Sequence, residues 1–198
     1  MNEKHLYTSE DKLAWWDYGE WIEEPDIVTW TYKDYNCKII RIAMQEPYTE
    51  EFEIFGGHLS GYVTIPFKHP YHHKIYEDMD IEIHGGLTFG KVLNRHWIGF
   101  DCRHTGDYVP SIEKFRRENE HLKRFKETFM LFEGFEKHAI FNPIYRNIAF
   151  CIEECQSIVD QLVQIYELTE DRQRSKCEHT VSLSIHKKLK MRNLSIRE

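Results

Sequence analysis

Residues 145–168, YRNIAFCIEECQSIVDQLVQIYEL, restrict the fold more than any other part of the chain. Ile148, Cys151, Ile152, Cys155, Ile158, Val159, Leu162, Ile165 and Tyr166 recur at helical spacing, and Glu153, Gln156, Ser157, Asp160, Gln161 and Gln164 fall between them. A helix with one broad apolar face must bury it against a second layer. The chain ahead of it supplies that layer. Residues 27–33 (IVTWTYK) and 37–45 (CKIIRIAMQ) are rich in β-branched and aromatic residues, and a break at 34–36 makes them a hairpin. Residues 46–56 read as a loop and a short strand, and 60–67 as a strand ended by Pro66 and Pro70. Residues 71–79 read as a helical turn or loop. MDIEIH at 79–84 alternates strictly, which predicts a strand. LTFGKVL at 87–93 and RHWIGFD at 95–101 predict a second hairpin around Asn94.

Strands first and helices later predict an α+β fold, with an antiparallel or mixed sheet covered by one long C-terminal helix. Further helices are expected at the N-terminus, where Thr8-x-x-Asp11 has the pattern of a cap, and in an amphipathic insertion. The chain divides into a single α+β domain, 1–170, and a basic C-terminal extension, 171–198. Within the domain lie core motifs at 57–108, a helical insertion at 111–140 and the packing helix at 145–168. VSLSIH at 181–186 alternates again and reads as a late edge strand.

Charge narrows the partners. The net charge is −7 over 198 residues. Residues 171–198 hold eight Lys/Arg and three Asp/Glu, so the body carries the acidic excess. An acidic body disfavours nonspecific binding to nucleic acid, and the basic tail reads first as a solvated terminal face and otherwise as a contact for an RNA, a DNA or an acidic protein. No apolar run approaches a membrane span, and the first residues lack the apolar core of a signal peptide, so a cytoplasmic protein is expected. Five cysteines without a CxxC pair argue against a disulfide framework or a Cys-rich zinc site. Trp15, Trp16 and Trp21 read first as core-filling residues and otherwise as a partner-binding patch.

The chemistry concentrates in three blocks, GHLSGYVTIPFKHP (57–70), IHGGLTFG (83–90) and GFDCRHTGD (99–107). His58, His69, His72, His73, His84, His96 and His104 lie in or between them, with glycines alongside. Titratable side chains beside glycines describe a site better than a core, because glycine lets backbone approach a ligand. The candidate catalytic residues are His84, His104, Asp101 and Asp107, and His69 is expected to join them in one pocket. The candidate ligand-binding residues are Tyr62, His69, Gly85, Gly86 and Thr88. Gly85 and Gly86 at a strand end suit a phosphate cradle, Thr88 adds a hydroxyl, and Tyr62, Phe89 or Trp97 could stack on a base. Asp101-x-x-His104-x-x-Asp107 allows three readings. With His69 or His84 these mixed N/O donors could hold a divalent metal such as Zn²⁺, Mn²⁺ or Fe²⁺. Without a metal, one aspartate orients His104 as a base or as a cation. Otherwise the aspartates cap a turn.

At these blocks the chain resembles a family of small uncharacterised bacteriophage and prophage proteins with GYVxxPxxHP, HGGLT and GFDxxHxGD motifs. The motifs fall here at Gly61–Val63 with Pro66, His69 and Pro70, at His84–Thr88, and at Gly99–Asp101 with His104, Gly106 and Asp107. A Tyr145-Arg146 pair follows at the start of the helix. The resemblance implies a phage or prophage origin, a shared site and action in the host cytoplasm. With it, the expected function is binding, with or without hydrolysis, of a small phosphorylated nucleotide-derived ligand such as a host immune signalling nucleotide. As an enzyme it would be a phosphodiesterase or another nucleotide hydrolase. The alternatives are a non-catalytic sequestering protein and an acidic inhibitor that meets a host factor through its tryptophan-rich segment.

Overall fold

In the computed structural model six strands form one antiparallel sheet, ordered β1-β2-β3-β4-β6-β5. They are β1 (Asn2–Lys4), β2 (Ile27–Tyr32), β3 (Tyr35–Gln45), β4 (Ile54–Ile65), β5 (Phe89–Val92) and β6 (His96–Asp101). Among the described residues three α-helices accompany them: α1 (Ser9–Trp16), α2 (Pro110–Glu118) and α3 (Ile148–Leu194). The structure describes residues 1–45, 54–92, 94–118 and 142–194. The loop expected at 46–53 and the insertion beyond residue 118, with Leu122, Phe125 and Phe129, lie outside the described residues.

Local chemistry explains the elements. The β2–β3 hairpin turns at Lys33 and Asp34, both at positive φ, which suits the twist of a two-residue hairpin loop. Thr8 and Asp11 form a reciprocal capping box on α1. Asn147 caps α3 by accepting the Phe150 N–H at 3.0 Å. The α3 stripe buries Cys151, Cys155, Ile158, Val159 and Leu162 against Val28, Cys37, Ile39, Leu59, Val63, Ile65, Ile98 and Phe100. Close approach needs Gly61 on β4, where a Cβ would lie 2.4 Å from Phe100 Cε1 and 2.9 Å from Cys155 Sγ.

A second core lies at the other end of β4. It gathers Trp16, Trp21 and Ile22, flanked by Tyr7, Trp15, Tyr108 and Tyr145. Trp16 and Trp21 are 0% and 4% exposed, so they fill this core and offer no patch to a partner. Buried charges sit beside it. Lys12 pairs with Asp26 at 3.0 Å, and Arg41 Nε donates to the same carboxylate oxygen at 3.0 Å. Arg41 also reaches Glu24, Tyr145 and the Gly57 carbonyl. Glu24 accepts the Ile148 N–H through its other oxygen, which anchors the start of α3 to this network.

Two expected strands are absent. Residues 79–84 run as irregular chain beside α3 and form no ladder. Met79 and Ile81 are indeed buried, but the partner is the helix: the Glu82 N–H donates to Gln161 Oε1 and Gln161 Nε2 donates back to the Glu82 carbonyl. Residues 181–186 lie inside α3, and so does the extension from 171 to 194. No glycine or proline occurs between 148 and 194 to end the helix, and one short alternating stretch does not override that.

Candidate functional site

Asp107 is the centre of the site. It follows the turn after β6 and its side chain is 1% exposed. Its Oδ2 accepts the His84 Nε2–H at 2.9 Å and the His104 N–H at 2.9 Å. Its Oδ1 accepts Arg146 Nε–H at 3.0 Å. These bonds hold the Asp107 carboxyl below its ordinary range against the opposing effect of burial. An ionised acceptor fixes the His84 tautomer, since Nε2 carries the proton and Nδ1 keeps the lone pair.

Three segments converge there. The irregular chain at 79–86 brings His84, whose N–H donates to Glu154 Oε2 of α3 at 2.9 Å. A short bridge between Asp107 and Ile144 brings the chain that precedes α3 alongside, and so delivers Arg146. The Arg146 guanidinium lies 4.7 Å over the Phe150 ring, and His84 meets the same ring edge-on at 5.3 Å. His104 stands 5.5 Å from His84. Its Nε2 is buried without a hydrogen-bond partner, and Asp101 Oδ1 lies 3.7 Å away, beyond hydrogen-bond reach.

The expected catalytic set, His84, Asp101, His104 and Asp107, is therefore brought together. His69 is not. Its Nε2–H donates to the Leu162 carbonyl at 2.8 Å and its Nδ1 accepts the Tyr71 N–H at 3.0 Å, so one ring nitrogen holds α3 further along the helix and the other holds a local turn. The glycine cradle is also corrected. Gly86 N–H bonds the Ile83 carbonyl, closing a turn with Gly85 at φ 66°, and Thr88 N–H bonds Gly99. Successive N–H groups are thus not open to an anion. Gly85 instead lets the two loops touch, because a Cβ there would lie 1.9 Å from the His104 ring. Tyr62 stands on β4, edge-to-face with Phe89 at 5.2 Å.

A divalent metal does not fit this donor set. Both Asp107 oxygens are engaged, one of them by a guanidinium. Among the described residues no group of three or more His, Cys, Asp or Glu side chains is arranged to hold a metal ion. The turn-capping reading holds in part, because Asp107 and His104 bond each other's backbone and Asp101 Oδ1 accepts the Arg103 N–H. Sequence reasoning missed Arg146, Phe150 and Glu154 as site members. The Tyr-Arg pair was the available signal, and the two residues diverge: Tyr145 joins the Arg41 network while Arg146 joins Asp107.

Compared with known proteins, the chain matches no family model, no curated protein and no solved structure. Among the described residues no helix is long and apolar enough to cross a membrane.

Proposed function

We propose that the chain binds a small phosphorylated ligand, nucleotide-derived, at the edge formed by His84, His104 and Arg146. One observation carries this reading: a single buried carboxylate orients an imidazole and a guanidinium side by side, 18% and 25% exposed. Guanidinium and imidazole nitrogens on a fixed frame suit a phosphate. The resemblance to phage and prophage proteins makes a host immune signalling nucleotide the substrate class we propose.

The same frame supports hydrolysis. His84 Nδ1 takes a proton from water, and the water oxygen attacks phosphorus. The P–O ester bond breaks, and protonated His104 returns a proton to the leaving oxygen. Asp107 keeps its own charge and stabilises the imidazolium formed at His84. Sequestration without turnover uses the same residues and lacks only the chemical step.

Calorimetric titration with a panel of nucleotides tests the reading, with turnover followed on the same samples. Arg146→Ala should weaken binding about tenfold or more, as loss of one charge-assisted bond implies, and His84→Ala should weaken it too, because Asp107 then loses a partner that fixes it beside Arg146. A chelator should change nothing. Unchanged binding in both variants would overturn the proposal. Recovery of intact ligand after denaturation separates sequestration from hydrolysis.

A further inference from the structure

The sheet face turned away from α3 carries side chains that the phosphate site does not use. Gly61 faces α3, so its neighbours on β4, His58, Ser60 and Tyr62, face the other way. Register sets Ser60 beside Asp101 of β6, and sets Tyr62 and Phe89 on either side of Gly99. Gly99 has no side chain to part them, and the two rings meet at 5.2 Å, both half-buried. His58 is 5% exposed, yet its Nδ1 is buried without a hydrogen-bond partner. Burial pushes its imidazole down to about 4, against the pull of Asp101, so the ring is neutral near pH 7. Asp101 links this row to the phosphate site, since His104 Nε2, a further orphaned imidazole nitrogen, lies 3.7 Å from it.

Buried polar atoms in folded proteins almost always have partners, so the orphans at His58 and His104, the second 3.7 Å from the partly exposed Asp101, point to a ligand. We infer that this row binds a nitrogen heterocycle, and that the ligand is a nucleoside phosphate with its base at Tyr62 and Phe89 and its phosphate at His84 and Arg146. The inference rests on the phosphate reading above. Aromatic faces accept any base by stacking. What separates a base from a plain apolar group is its ring nitrogens and amino groups. Neutral His58 offers a lone pair or an N–H at Nδ1, Ser60 offers a hydroxyl, and Asp101 accepts from an amino group. A phosphosugar or inorganic phosphate would leave the aromatic pair and His58 idle.

The test compares inorganic phosphate with the four nucleoside 5′-monophosphates by titration calorimetry on the full chain. Monophosphates should bind at least tenfold more tightly than phosphate, a margin that one stacked base provides. Tyr62→Leu and Phe89→Leu should each remove about that factor for the monophosphates and leave phosphate binding as it was. His58→Gln, which keeps a polar group of similar reach, should change the ranking among the four bases. Melting curves identify any variant that fails to fold, and the remaining two then decide. If phosphate binds through Arg146 but monophosphates bind no better, or the aromatic variants leave them unchanged, the heterocycle subsite is overturned and the phosphate site stands. If neither phosphate nor any monophosphate binds, both are overturned.

Discussion

His58 and Asp107 show how single residues set the response to pH. His58 is neutral when folded and titrates near 4, whereas the unfolded side chain titrates near 6.5. Between those values the unfolded chain holds the extra proton, so acid destabilises the fold across that window. His58→Gln should remove up to about 3 kcal/mol of that fall, read from urea midpoints at pH 7 and pH 4.5. Asp107 works lower on the scale. Its carboxyl is depressed below 3.8, so its contribution is complete above that value and is lost as pH falls through the folded-state value. Asp107→Asn should cost about 1–3 kcal/mol near neutrality and should flatten the acid limb below pH 4. Gly85→Ala belongs at the same scale. Its Cβ would strike the His104 ring from a positive-φ backbone, so the His104 imidazole should shift in NMR spectra and ligand affinity should drop.

Among the elements, α3 depends on how closely it meets the sheet. Gly61→Ala would push Cys155 and Phe100 apart and should cost about 1–3 kcal/mol as an overpacking change. Thermal melts would read it, and an unchanged melting temperature would show that the helix can move away at no cost. The α3 stripe was legible from sequence because its period is sustained from Ile148 to Tyr166, and the β2–β3 and β5–β6 hairpins because their β-rich runs are short and well bounded. Residues 79–84 show where legibility stops. Alternation reports that one side is buried, and it does not say whether the burying surface is a sheet or a helix. The site divides in the same way. His84, Asp101, His104 and Asp107 were legible because polar groups beside glycines are unusual in a core. His69 carries the same local signature, but its partner is the carbonyl of Leu162, 93 residues away. Arg146 looked like an ordinary helix-entry residue, since only the bridge between Asp107 and Ile144 brings it to the site.

Across the whole molecule, the buried charges around Arg41 join the N-terminal segment, the sheet and the start of α3. Asp26→Ala would strand Lys12 and Arg41 in the interior and should cost about 3–5 kcal/mol, which chemical denaturation would measure. His84, Asp107 and Arg146 arrive from three separate stretches of chain to share one carboxylate. A molecule held between His84 and Arg146 therefore recognises only the assembled form, and the unfolded chain offers it nothing equivalent. By mass action, such a molecule at a hundred times its dissociation constant adds about 2.7 kcal/mol to the unfolding free energy. Heat then becomes the assay: a library of phosphorylated compounds can be ranked by the melting temperature each confers, with no reaction to follow.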